Sequence, residues 1–266
     1  MSRESKKSLA VSLATATCAL LGTTTASPVI AKEEPVWEFN AALLYYGESD
    51  DRVQDLSLNL LAVRNFVDDR ILTLSLAVDT LTGATPLSAM PFDGPQTFTS
   101  PSGLQVKTSP AGKIPLDDSF LDARVAITAN WQQPLGRLNS INVGLSASNE
   151  FDYLHLGANL KVSRDFNKRN TTVSMALAVA RDELTPIGGS PVPLSPMPDV
   201  GDLSTRTRAT TKDIIDFVIG VTQVINRNLL VQLNYSLSDS SGYLNDPYRI
   251  ISIVDPDCWP LTPVFV

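Results

Sequence analysis

The feature that most constrains this chain is a strict two-residue alternation repeated over many stretches, with no apolar run of helix-spanning length beyond the N-terminal segment. In residues 55–62, Leu56, Leu58, Leu60 and Ala62 share one phase, while Asp55, Ser57 and Asn59 share the other; Leu61 is the exception. Residues 72–79 set Leu72, Leu74, Leu76 and Val78 against Thr73, Ser75, Ala77 and Asp79. The same code runs through residues 121–131, 141–148 and 154–163, and again through 173–179 and 229–237. Residues 214–224 keep it less cleanly, because Ile214, Val218 and Val224 fall in the polar phase. Successive side chains of a strand point to opposite faces, so each stretch predicts a strand with one apolar and one polar face. Together with residues 37–46, about nine such strands are expected.

A soluble β-sandwich also alternates, so the pattern alone does not choose an architecture. Three further features favour a membrane barrel. Strands of about nine to eleven residues suit a tilted bilayer crossing, whereas soluble strands run nearer five or six. Trp37, Tyr45, Phe66, Trp131, Phe151, Tyr153, Phe166 and Tyr235 lie near expected strand ends, where aromatic girdles would place them. Connection lengths also sort by end. If residues 37–46 rise from the periplasm, the short turns at 65–70, 134–138, 164–170 and 225–228 all fall on the periplasmic side. The long connections at 83–117 and 182–212 fall outside. The expected fold is therefore all-β, an antiparallel up-and-down transmembrane β-barrel located in the outer membrane. Segments 100–114 and 186–201 are rich in Pro and Gly, and the expectation there is external loop without regular structure.

The N-terminus is consistent with export. Arg3, Lys6 and Lys7 precede an apolar stretch at residues 8–22 and then small residues, the pattern of a secretory signal peptide, with cleavage expected after Ala31 or Ala26. Residues 1–31 are thus assigned to the signal, 32–255 to the barrel and 256–266 to a tail outside it. Loss of the signal removes Cys18 and leaves Cys258 without an intrachain partner, so no disulfide framework is expected. The formal charge of the whole chain is −7. This acidic balance argues against a nucleic-acid partner, which calls for a basic footprint.

Several stretches carry a resemblance. They are Trp37-Glu38-Phe39-Asn40 with Leu44-Tyr45-Tyr46, Asp79-Thr80-Leu81-Thr82-Gly83-Ala84-Thr85-Pro86, Thr97-Phe98-Thr99-Ser100-Pro101-Ser102-Gly103, residues 220–228, and Gly242-Tyr243-Leu244-Asn245-Asp246-Pro247-Tyr248. Over residues 37–255 the chain resembles a proteobacterial outer-membrane family catalogued as a domain of unknown function, DUF3570, and the resemblance stops at Pro256. It implies an outer-membrane barrel without assigned activity, in chains longer than this one. It also implies genes neighbouring a flavin transferase and a thioredoxin-like protein. No catalytic residue comes with it.

Chemical motifs are sparse. His155 is the only histidine, which excludes a multi-histidine metal site. A serine hydrolase would need Ser146 or Ser148 to lie near His155 across a hairpin. All three fall in the polar phase, away from lipid, so His155 is expected to line a lumen and no enzymatic role or cofactor is expected. Asp55, Asp79, Asp122 and Asp216 share that phase with Arg124 and Lys161, and Ser174, Ala176 and Ala178 leave space among them. Fixed carboxylates in a narrow pore favour cations, unless the charges pair internally and the lumen is packed shut. The leading expectation is a passive or plugged channel for a small solute. The alternative is a non-conducting scaffold or sheath for a periplasmic or flavin-bearing partner. Expected partners are outer-membrane lipid and the barrel assembly machinery.

The strand count raises a last expectation. Nine strands would leave the chain on the outside, and Pro256, Pro260 and Pro263 interrupt any central pairing. The barrel is therefore expected to be incomplete, with a frameshift or early stop as the simplest cause, and unstable alone unless it oligomerises.

Overall fold

The computed structural model describes residues 36–49, 53–86, 90–253 and 262–265. The expected signal peptide, Cys18, Cys258, Pro256 and Pro260 lie outside these residues. One sheet dominates. Its strands are β1 (Trp37–Gly47), β2 (Val53–Asn65), β3 (Ile71–Pro86), β6 (Leu116–Leu135), β7 (Asn139–Asn149), β8 (Tyr153–Phe166), β9 (Thr171–Leu184), β10 (Thr210–Asn226) and β11 (Leu229–Gly242). They pair in that order, each antiparallel to the next. Two small ribbons accompany the sheet: β4 (Gln96–Thr99) with β5 (Val106–Ser109), and β12 (Ile250–Ile253) with β13 (Thr262–Phe265).

The described residues are thus all-β, and the main sheet has nine strands in sequential order, as the alternation predicts. Two details differ from expectation. The sheet strands run from 11 to 20 residues, longer than the sequence suggested. The extra length lies at both ends in Val53–Asn65, Leu116–Leu135 and Tyr153–Phe166, and mainly at the loop end in Ile71–Pro86, Thr171–Leu184, Thr210–Asn226 and Leu229–Gly242. Residues 100–114 also contain regular structure, the strand β5.

Strictly antiparallel order sorts the connections to two ends. The turns β2–β3, β6–β7, β8–β9 and β10–β11 share one end, and the long β3–β6 and β9–β10 connections share the other. The sheet is open, with β1 and β11 as its edges, and an odd number of strands makes those two edges run the same way.

The long connections are packed rather than loose. Arg206 donates through Nη1 to the carbonyl oxygens of Pro101 (2.7 Å) and Gly189 (3.2 Å), and Thr99 donates to the carbonyl of Pro198 (2.9 Å). Phe98 and Ile250 form a small buried core, with Met197 against it. Gly188, at φ +81°, passes so close to the carbonyl of Ser102 that no Cβ fits between them. A left-handed conformation and zero side-chain volume are both required there, and only glycine supplies them.

Candidate functional site

Register places side chains on the two faces of the sheet without ambiguity, because cross-strand partners share a face and residues i and i+2 share it too. Asp55 pairs with Leu81, Leu81 with Asp122, and Asp79 with Arg124. Ala126, two residues beyond Arg124, pairs with Ser148, Ser148 with His155, His155 with Asp182, and Asp182 with Lys212. Lys161 and Asp216 follow at even offsets along β8 and β10. All seven candidates, Asp55, Asp79, Asp122, Arg124, His155, Lys161 and Asp216, therefore occupy one face.

The opposite face is apolar and uncovered. Leu43 (72%), Leu121 (72%) and Leu233 (73%) are its most open leucines, and Leu145, Leu156, Leu177, Val179, Ile215 and Leu237 are exposed beside them. Among the described residues no other layer packs on it, and the buried apolar cluster of Phe98 and Ile250 lies at the loop end.

Aromatic and arginine side chains gather at the turn end. Phe66 and Trp131 meet edge to face at 5.4 Å, Arg64 lies over Trp37 and Phe66, and Arg70 lies over Phe66 and Trp131. Arg164 covers Phe166 in the same way. Tyr153 opens β8 at a strand end as expected, whereas Tyr235 does not lie at one. Tyr235 sits mid-strand in β11, and Tyr153 lies on the polar face against Lys212, 5.7 Å from Nζ to ring centre.

Much of the polar face is internally paired. Asp79 accepts a 2.6 Å bond from Arg124 Nη2, and Ser57 donates to Asp55 at 2.9 Å. Val218, in the polar phase, is buried in the row that runs from Lys161 through Ala176 to Ser236. It fills part of the space left by the small residues of β9. Acid still predominates. Among the described side chains of the sheet, Glu38, Asp55, Asp79, Asp122, Asp165, Asp182 and Asp216 share this face with only Arg124, Lys161 and Lys212 as cations.

The densest arrangement lies near the loop end of β7 to β10. His155 Nδ1 meets Asp182 Oδ1 at 2.7 Å, and His155 Nε2 meets Ser146 Oγ at 3.2 Å. The other carboxylate oxygen of Asp182 holds Lys212 Nζ at 2.9 Å, and Lys212 reaches Tyr153 Oη at 3.4 Å. Asp182 is 1% exposed, whereas the His155 side chain keeps 27% of its surface open. Asp182 and Lys212 were not among the sequence candidates. The signal was present, because Ala176, Ala178, Ala180 and Asp182 continue one phase. Arg181 and Glu183 in the other phase obscure it by removing the apolar half of the alternation.

A family model, "Protein of unknown function (DUF3570)", matches residues 10–263. The chain belongs to this family. The match extends past both ends of the resemblance read from the sequence, and the segment from Pro256 to Pro263, which that resemblance left out, is DUF3570 sequence too. No curated protein and no solved structure matches the chain. DUF3570 membership assigns no activity, so the chemistry of the polar face carries the functional argument.

Proposed function

We propose that this DUF3570 protein forms the wall of an outer-membrane β-barrel, with the polar face lining an aqueous interior that favours small cations. The observation that carries this reading is the pairing of a continuous polar face with a continuous, uncovered apolar face across nine strands. An apolar area of that extent is untenable in water and suits lipid. Supporting it, the arginines and aromatic rings at the turn end occupy the level where an interfacial girdle would lie. All four connections at one end are short turns, whereas the other end carries both long, packed loops beside the short β1–β2 and β7–β8 connections, which suits the periplasmic and outer ends of such barrels. The edges β1 and β11 require a covering partner in this setting, because an unpaired backbone group in hydrocarbon costs several kcal/mol.

The preference for cations follows from the charge balance of the polar face, where carboxylates outnumber ammonium and guanidinium groups. The test is reversal potential in planar bilayers across a salt gradient. Cation selectivity is expected, reduced in Asp216→Asn. Anion selectivity, or no conductance from a folded preparation, would contradict the channel and favour the scaffold.

A further inference from the structure

An aqueous lining needs no ordered path for a proton, yet Ser146, His155 and Asp182 form one. The carboxylate of Asp182, buried and tied to Lys212, accepts hydrogen bonds only, so His155 carries its proton on Nδ1. That tautomer leaves the Nε2 lone pair facing Ser146 Oγ–H. The serine is not the register partner of His155. That partner is Ser148, and Ser146 lies diagonally across the hairpin, opposite Gly157. A Cβ on Gly157 would stand 2.6 Å from Ser146 Oγ, so the missing side chain keeps the hydroxyl open on that side. Ala180, next in the row, is also small.

From these contacts we propose that Ser146 is a nucleophile, His155 its general base and Asp182 the positioning residue of an esterase centre on the polar face. Ser146 Oγ attacks the ester carbonyl carbon as its proton passes to His155 Nε2. The carbon–oxygen bond to the alcohol breaks, and His155 returns that proton to the leaving oxygen. Water then attacks the acyl-serine, giving a proton to His155, and the carboxylic acid leaves as Ser146 Oγ is reprotonated. Asn159, two residues beyond Gly157 on the same face and opposite Gly144, is assigned as the neutral amide donor to the developing oxyanion. The substrate class is a small, water-soluble acyl ester, because the centre sits among polar and small side chains at the end of the sheet nearest the loops. That choice of substrate rests on the proposed membrane placement, whereas the catalytic arrangement does not.

The test uses the full chain, folded in detergent, with a fluorophosphonate probe and with p-nitrophenyl acetate. On the wild-type chain the probe adduct maps to Ser146. Ser146→Ala and His155→Gln lower ester hydrolysis by ~10²-fold or more. Asp182→Asn lowers kcat with KM unchanged, and Ser148→Ala leaves the rate as it was. Absence of an adduct on Ser146 of the wild-type chain, or equal hydrolysis by Ser146→Ala, would overturn the proposal. So would cleavage of vesicle phospholipid without cleavage of the soluble ester. Conductance of the same preparation is read separately, so loss of the channel and loss of the esterase are distinguishable.

Discussion

Leu237 and Ser238 are neighbours near the middle of β11, and their side chains leave the sheet in opposite directions. Leu237 belongs to the uncovered apolar face, while Ser238 pairs with Asp216 on the polar face. Leu237→Arg is expected to cost roughly 2–4 kcal/mol if it enters lipid near the midplane. Ser238→Arg, placed opposite a carboxylate, is expected to stay within about 1 kcal/mol. Urea unfolding in lipid vesicles measures both, and equal penalties would contradict the assignment of faces. A second residue-scale effect concerns Glu150 and Asp152 in the β7–β8 turn. Burial, followed by the nearby charge of Asp122, raises both carboxyls above their ordinary range. A raised folded-state pKa contributes stability that is fully present at acid pH and is lost as pH rises through that value. Glu150→Gln with Asp152→Asn is therefore expected to raise the thermal midpoint at pH 7 and to leave it unchanged below about pH 4.

At the scale of elements, the alternation located all nine sheet strands, because period-two patterning is written in consecutive residues and needs no tertiary information. Strand ends were less legible. Arg181, Glu183 and Asp213 place charge in the apolar phase, so β9 and β10 read as shorter than they are, and Asp182 and Lys212 lie in the strand ends left out of the expected stretches. The packing of the long loops was not legible at all, since it depends on contacts between segments about a hundred residues apart, such as Arg206 to Pro101. Those contacts predict that Arg206→Ala or Gly188→Ala opens both connections. Limited proteolysis of folded protein should then cut within 90–115 and 185–209 faster than in wild type. Unchanged cleavage would mean that the loops do not hold each other.

At the scale of the molecule, the nine-stranded sheet presents two chemically opposite faces, and the proposed bilayer wall around water would give each face its own solvent. Membership in DUF3570 is compatible with this and assigns nothing further. The most direct test is a single-cysteine scan along β8 in a chain with Cys18→Ser and Cys258→Ser, reconstituted in vesicles. Cysteines at Leu154, Leu156, Leu160 and Val162 should be quenched by lipid-borne probes and shielded from a charged aqueous thiol reagent. Cysteines at Asn159, Lys161 and Ser163 should show the reverse. Equal aqueous reactivity at both sets of positions would contradict the two-solvent wall.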